Sequence, residues 1–76
     1  MNVLIYGAGQ TGEQVYHNIK KQHNVIGFLD GNIEKRGRKI GNVEVLGGVD
    51  AIKSNQINYD KIYIGSIFWK EIKKLL

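Results

Sequence analysis

Near its start the chain reads GAGQTG, with Gly7, Gly9 and Gly12 at the spacing G-x-G-x-x-G. Between an apolar strand and a helix, that spacing does the chemistry of a phosphate cradle. The first glycine allows the tight turn, the second lacks the Cβ that would hold a phosphate away, and the third lets the helix lie close on the strand. The helix N-terminus adds free amides and about half a positive charge. Gln10 and Thr11 fall inside the cradle, and Thr11 adds a hydroxyl. About 20 residues further on, where such turns have a ribose-binding carboxylate, stands Asp30. A turn-forming role in the dipeptide Asp30-Gly31 has equal standing. As a carboxylate Asp30 would repel a ribose 2′-phosphate and so favours a free 2′-hydroxyl. Lys35, Arg36, Arg38 and Lys39 follow at once and can pair with a phosphate, but a charge run in a hairpin reads first as solvated surface.

Three other constellations carry less. Tyr16 and Lys20 match a Y-x-x-x-K acid/base pair, but the first helix, directly behind the glycine turn, points them away from a substrate. His17 and His23 have no partner at metal-ligand spacing and read as solvent-facing. Ser66 follows the third apolar run, on the ligand side of an open sheet. It has no base nearby, so it reads as a hydrogen-bond donor or a helix cap rather than a nucleophile. No catalytic residue is evident.

The elements that must position these groups follow from periodicity. Val3-Leu4-Ile5-Tyr6 and Val25-Ile26-Gly27-Phe28-Leu29 are continuous apolar runs of the kind buried on both faces of a parallel sheet. Between them, Thr11 to about His23 carries a narrow helical stripe of Val15, Tyr16 and Ile19. The stretch NIEKRGRKIGNVEVLGG is charged and glycine-punctuated and reads as a loop with a small hairpin around Gly41-Asn42. Val49 to Ser54 can form a short helix, Lys61 to Gly65 a third strand, and Ile67, Phe68, Ile72 and Leu75 a terminal helix that also carries Trp69. The expected fold class is therefore α/β: a Rossmann-like three-layer sandwich with a three-stranded parallel sheet of order 2-1-3, helices on both faces and a small β-hairpin.

A chain of 76 residues makes one small domain, residues 1–76, with a thin core. It has no cysteine to staple that core, which points away from an oxidising compartment and toward the cytoplasm. No apolar run approaches the roughly 20 residues of a membrane span, so no membrane insertion of this segment is expected. The net charge of +4 is dispersed among seven carboxylates, which argues against nucleic acid. The last helix meets no cap before Leu76, so the chain is expected to be a piece of a longer protein, with a C-terminal domain missing or another copy packed there.

The segments VLIYGAGQTG, VIGFLDGNIEKRGRKIGNVEVLGGVD and YDKIYIGS together resemble the N-terminal Rossmann-like domain of CapD-type nucleotide-sugar dehydratases and epimerases. A similar domain opens the NeuD-type and PglD-type sugar acyltransferases. The resemblance covers nearly the whole chain and implies a nucleotide or nucleotide-sugar ligand, UDP-sugar-like, in a bacterial surface-polysaccharide pathway; coenzyme A or a dinucleotide are alternatives. It implies that Gly7, Gly9 and Gly12 face phosphate, that Asp30 and Gly31 flank the sugar or base, and that Gly65 and Ser66 line the cleft.

Three readings result. The first is a non-catalytic nucleotide-binding domain, with Gly7, Gly9, Gln10, Thr11, Gly12, Asp30, Gly31, Gly65 and Ser66 as its site and no metal. The second is the NAD-binding half of an oxidoreductase, nucleotide-sugar dehydratase or epimerase. A dinucleotide needs a second mononucleotide half that a chain of this size does not hold, which favours the first. The third is a structural or dimerising domain with an empty cradle.

Overall fold

A computed structural model describes residues 1–65 and 73–74. Along the chain come β1 (Asn2–Tyr6), α1 (Gln10–Ile19), β2 (Asn24–Leu29), a 3₁₀ turn (Ile33–Lys35), β3 (Lys39–Ile40), β4 (Val43–Gly47), α2 (Asp50–Ser54) and β5 (Lys61–Ile64). The strands form one sheet of order β3-β4-β2-β1-β5. β1 pairs in parallel with β2 and β5, β2 in parallel with β4, and β3 antiparallel with β4.

Alternation along the inner strands explains why the sheet has two apolar faces. On one face Leu4, Tyr6 and Leu29 pack with Ala51 of α2. On the other, Ile5, Phe28 and Val45 pack with Val15, Tyr16 and Ile19 of α1. Successive strand residues point to opposite sides, so a run such as Val3-Leu4-Ile5-Tyr6 must be apolar throughout once both sides are covered. Leu4, Ile5, Phe28 and Leu29 are fully buried, and each such side chain contributes about 1.5–3 kcal/mol. Among the described residues no helix is long and apolar enough to cross a membrane.

The fold is thus not the expected three-stranded parallel Rossmann-like sandwich. The sheet is five-stranded and mixed, with two α-helices among the described residues. The difference arises in the stretch expected to be a loop with a small hairpin around Gly41-Asn42: the hairpin forms, as β3 paired with β4, but its second strand also joins the sheet. Val43-Glu44-Val45 alternates with period two, which puts Val45 into the core at 1 % exposure while Glu44 stays in solvent. β4 therefore extends the sheet beyond β2, with Phe28 paired to Val45, and the charged residues around it belong to the exposed positions of a strand. Helix α1 is also shorter than the expected Thr11 to His23. It closes at Lys20, and the amides of Gln22 and His23 both donate to the carbonyl of Ile19, its last apolar residue. The expected stripe of Ile67, Phe68, Ile72 and Leu75, together with Ser66 and Trp69, lies outside the described residues.

The sheet ladder runs one rung past the strands at their carboxyl ends. Gly7 donates to Leu29, Asp30 to Gly47 and Gly65 to Tyr6, so Gly7, Asp30, Gly47 and Gly65 stand in line along one edge. The opposite edge is fastened by polar groups: the Asn2 amide donates to Asp60 Oδ2 at 2.7 Å, the Asp60 amide to the Asn2 carbonyl at 2.7 Å, and Asn24 Nδ2 to Asn2 Oδ1 at 3.0 Å.

Val45→Ala should lower the unfolding free energy by about 2–3 kcal/mol, while Glu44→Ala stays within about 0.5 kcal/mol. Urea unfolding of both variants checks this, and equal small losses would remove β4 from the core.

Candidate functional site

The glycine turn sits at the carboxyl edge, between β1 and α1. Two of its glycines are structural. Gly7 has φ +114°, and a Cβ there would run into the carbonyl oxygen of Gly65. A Cβ on Gly12 would strike the carbonyl oxygen of Gly7 and stand 2.7 Å from its carbon; one on Gly65 would stand 2.6 Å from Gly12 Cα. The three backbones are in mutual contact and buried, so Gly7, Gly12 and Gly65 form a packed junction. Gly9 differs. It is exposed, and a Cβ on it would meet only Lys35 Nζ, at 3.6 Å. It is the N-cap of α1 with no side chain on the first-turn amides. Gln10 and Thr11 beside it are exposed, and the first amides of any helix lack intrahelical acceptors.

Asp30 reaches this turn from the end of β2. Its Oδ2 accepts from the Ala8 amide at 2.9 Å and its Oδ1 from the Asn32 amide at 2.8 Å. Lys35 Nζ lies 3.7 Å from Oδ2, with both side chains mostly covered. Burial works to raise the Asp30 pKa, but the Ala8 and Asn32 amides and the Lys35 charge outweigh it and hold the carboxyl below its ordinary value. Tyr6 is moved the other way, its phenol raised by burial first and by the Asp30 charge second. Asn32 then accepts from the Glu34 amide at 3.0 Å and caps the 3₁₀ turn that carries Lys35. Thus Asp30 fixes a turn, and the turn brings an ammonium over Gly9. Gly31, exposed, lies beside the Tyr6 hydroxyl.

On the far side of Asp30 a pocket of about 280 Å³ opens between the ends of β2 and β4 and helix α2. Asp30 belongs to both places, and Gly31 lines the pocket. The structure therefore gathers Gly9, Gln10, Thr11 and Asp30 at the turn and puts Gly31 at the pocket; Ser66 lies outside the described residues.

Lys35, read as solvated surface, is instead half-buried at the turn. The signal for it was local: Asp30 and Asn32 both accept from amides two residues on, a pattern that curls the chain back. The pocket had no such signal, since β4 and α2 make half of it. His23 is not solvent-facing. It is half-buried, with Nε2 3.2 Å from the Tyr63 hydroxyl. Tyr16 packs edge-on against Phe28 and beside Gly41, with Lys20 Nζ 5.7 Å from its ring, which is packing rather than proton transfer.

Gly12→Ala should cost about 3 kcal/mol or more, because the added methyl meets backbone that cannot yield, while Gly9→Ala should change stability by less than about 1 kcal/mol. Thermal melts of the two variants check the contrast. Asp30 contributes stability above its ordinary pKa of 3.8, and this is lost as pH falls through its lower folded value. Asp30→Asn should lose about 1–2 kcal/mol at neutral pH and flatten the fall in stability below about pH 4. An unchanged acid limb in urea unfolding would show that the carboxylate is not held this way.

A family model described as C2185-like, N-terminal, matches residues 1–76. No curated protein matches the chain. The resemblance to the N-terminal domain of CapD-type dehydratases and NeuD-type or PglD-type acyltransferases is thereby overturned, and the glycan-pathway setting that it implied has no residue of its own behind it. The segments behind the resemblance carry a glycine turn, a second strand end, a hairpin and a third strand, which many parallel sheets share. Over its full length the chain belongs to the C2185-like N-terminal family.

Proposed function

We propose that the domain binds a phosphate-bearing small molecule of the nucleotide class, with nucleotide sugars, NAD and coenzyme A as the ligands to test. The phosphate lies on the amides of Gln10 and Thr11, against Gly9 and under Lys35. One observation carries this reading: the uncapped, exposed start of α1 has a half-buried ammonium parked over its one open glycine. Amides and an ammonium converging on one exposed point favour an anion with several acceptor oxygens. The position fits as well, because ligands of open α/β sheets bind beyond the carboxyl ends of the strands.

A second reading has its own observation. Asp30 Oδ2 already accepts from Ala8 and faces Lys35, so an internal carboxylate supplies part of what a phosphate would. In that case the turn is complete by itself and the domain is structural.

Titration of the chain with a UDP-sugar, NAD, NADP and acetyl-CoA, following backbone amide shifts, separates the two. Ligand-dependent shifts at Gly9, Gln10 and Thr11 are expected for at least one. Gly9→Val should abolish them, since its side chain fills the phosphate's place, and Lys35→Ala should weaken binding about tenfold or more. Gly9–Thr11 amides that stay still with every ligand would leave the structural reading in possession.

A further inference from the structure

The pocket beside Asp30 is built unlike the glycine turn. Leu46 and Ala51 line it with aliphatic groups, Gly47-Gly48 with bare backbone, and Ser54 and Asn55 with polar side chains. Ile33 stands at its rim with 81 % of its surface exposed. A lone exposed isoleucine ordinarily needs no explanation. This one sits on the same 3₁₀ turn that sends Lys35 to Gly9, so a single turn has an apolar residue on the pocket and a cation on the glycine turn. Of the charged groups that line it, Asp30 is paired with Lys35, which leaves Arg36 from the turn and Asp50 from the start of α2. Among the described residues neither has an ion-pair partner. The Asp50 carboxylate hangs over that backbone, its Oδ1 3.1 Å from where a Cβ on Gly48 would be.

Aliphatic groups and bare backbone interleaved with polar side chains suit a flat heterocycle, which has apolar faces and a hydrogen-bonding edge. The volume sits just below the range of whole-ligand pockets and suits one ring system. Arg36, planar and always charged, can lie over the face of a ring. Asp50 is acceptor-only when ionised, so the edge it meets must donate: the exocyclic amines of adenine and cytosine do so freely, whereas uracil has only N3–H, set between two carbonyls that repel a carboxylate.

We propose that this pocket seats an amino-bearing nucleobase, between the bare backbone of Gly47-Gly48 and a cover of Ile33 and Arg36, with Asp50 accepting from the amine. The assignment rests on the phosphate reading for where the other end of the ligand lies.

The test uses the whole chain and backbone amide shifts with five probes: adenosine, AMP, CMP, UMP and ribose 5-phosphate. AMP and CMP should move Gly47, Gly48 and Asn55 as well as Gly9 to Thr11, and bind about tenfold tighter than UMP or ribose 5-phosphate. Asp50→Asn should erase that preference and leave the ribose 5-phosphate affinity unchanged, with unmoved Ile5 and Leu29 amides certifying the fold. UMP binding as tightly as AMP, or a preference that survives Asp50→Asn, overturns the amino-base assignment. Ribose 5-phosphate moving Gly9 to Thr11 while no base moves Gly47 or Gly48 overturns the pocket and leaves the phosphate reading intact. Adenosine moving Gly47 and Gly48 with ribose 5-phosphate silent upholds the pocket and removes the phosphate reading. Silence at Gly47 and Gly48 from every probe overturns the proposal outright.

Discussion

Three backbones meet without a side chain between them where Gly7, Gly12 and Gly65 come together, and the rest of the carboxyl edge depends on that contact. A helix usually stands off a sheet by the bulk of its side chains. Here the first turn of α1 lies directly on the ends of β1 and β5, which brings its free amides level with the strand ends. Any Cβ in the junction would lift the helix and carry Gly9, Gln10 and Thr11 with it. The motif's first and third glycines thus act on the ligand only indirectly, through where they let the helix sit.

Asp30 then links this junction to the rest of the edge. Its carboxylate accepts amides from two different turns and has an ammonium beside it, so one side chain ties the β1-α1 turn to the chain leaving β2. Removing a mostly covered anion of this kind leaves amide donors without acceptors, a costlier loss than that of an exposed ion pair. The arrangement also has an electrostatic consequence. With Lys35 close by, the carboxylate's field is partly neutralised, and an arriving anion meets less repulsion than a free aspartate would offer.

How much of this was legible in the sequence varied with the range of the interaction. The strands β1 and β2 and helix α1 were readable because unbroken apolar runs and a helical stripe are local facts. The number of strands was not. Val43 to Val45 alternates for too few residues to outweigh the charges and glycines around it, and only Phe28, across the sheet, makes Val45 a core residue. The glycine turn was legible down to the separate jobs of Gly7, Gly9 and Gly12, but the closing of Gly7 and Gly12 by Gly65, which is remote in sequence, was not. Lys35 was misjudged because a charge in a basic run looks solvated until the partner that folds it back is known. The family resemblance failed for a related reason: it rested on the order of common elements, and order is shared more widely than descent.

The polar fastening at the amino edge bears on how the chain assembles. Asn2 and Asp60 are 58 residues apart, and β1, though first in the chain, lies between β2 and the late-arriving β5. The strands β1, β2 and β4 can pair through shorter connections, whereas β5 must close a long loop before it gains a partner. Until it does, β1 has one side open, with its amides and carbonyls free to template any passing strand. The polar clasp of Asn2 with Asp60 can be understood as the latch that ends this exposure, and the order of assembly makes it among the last bonds to form.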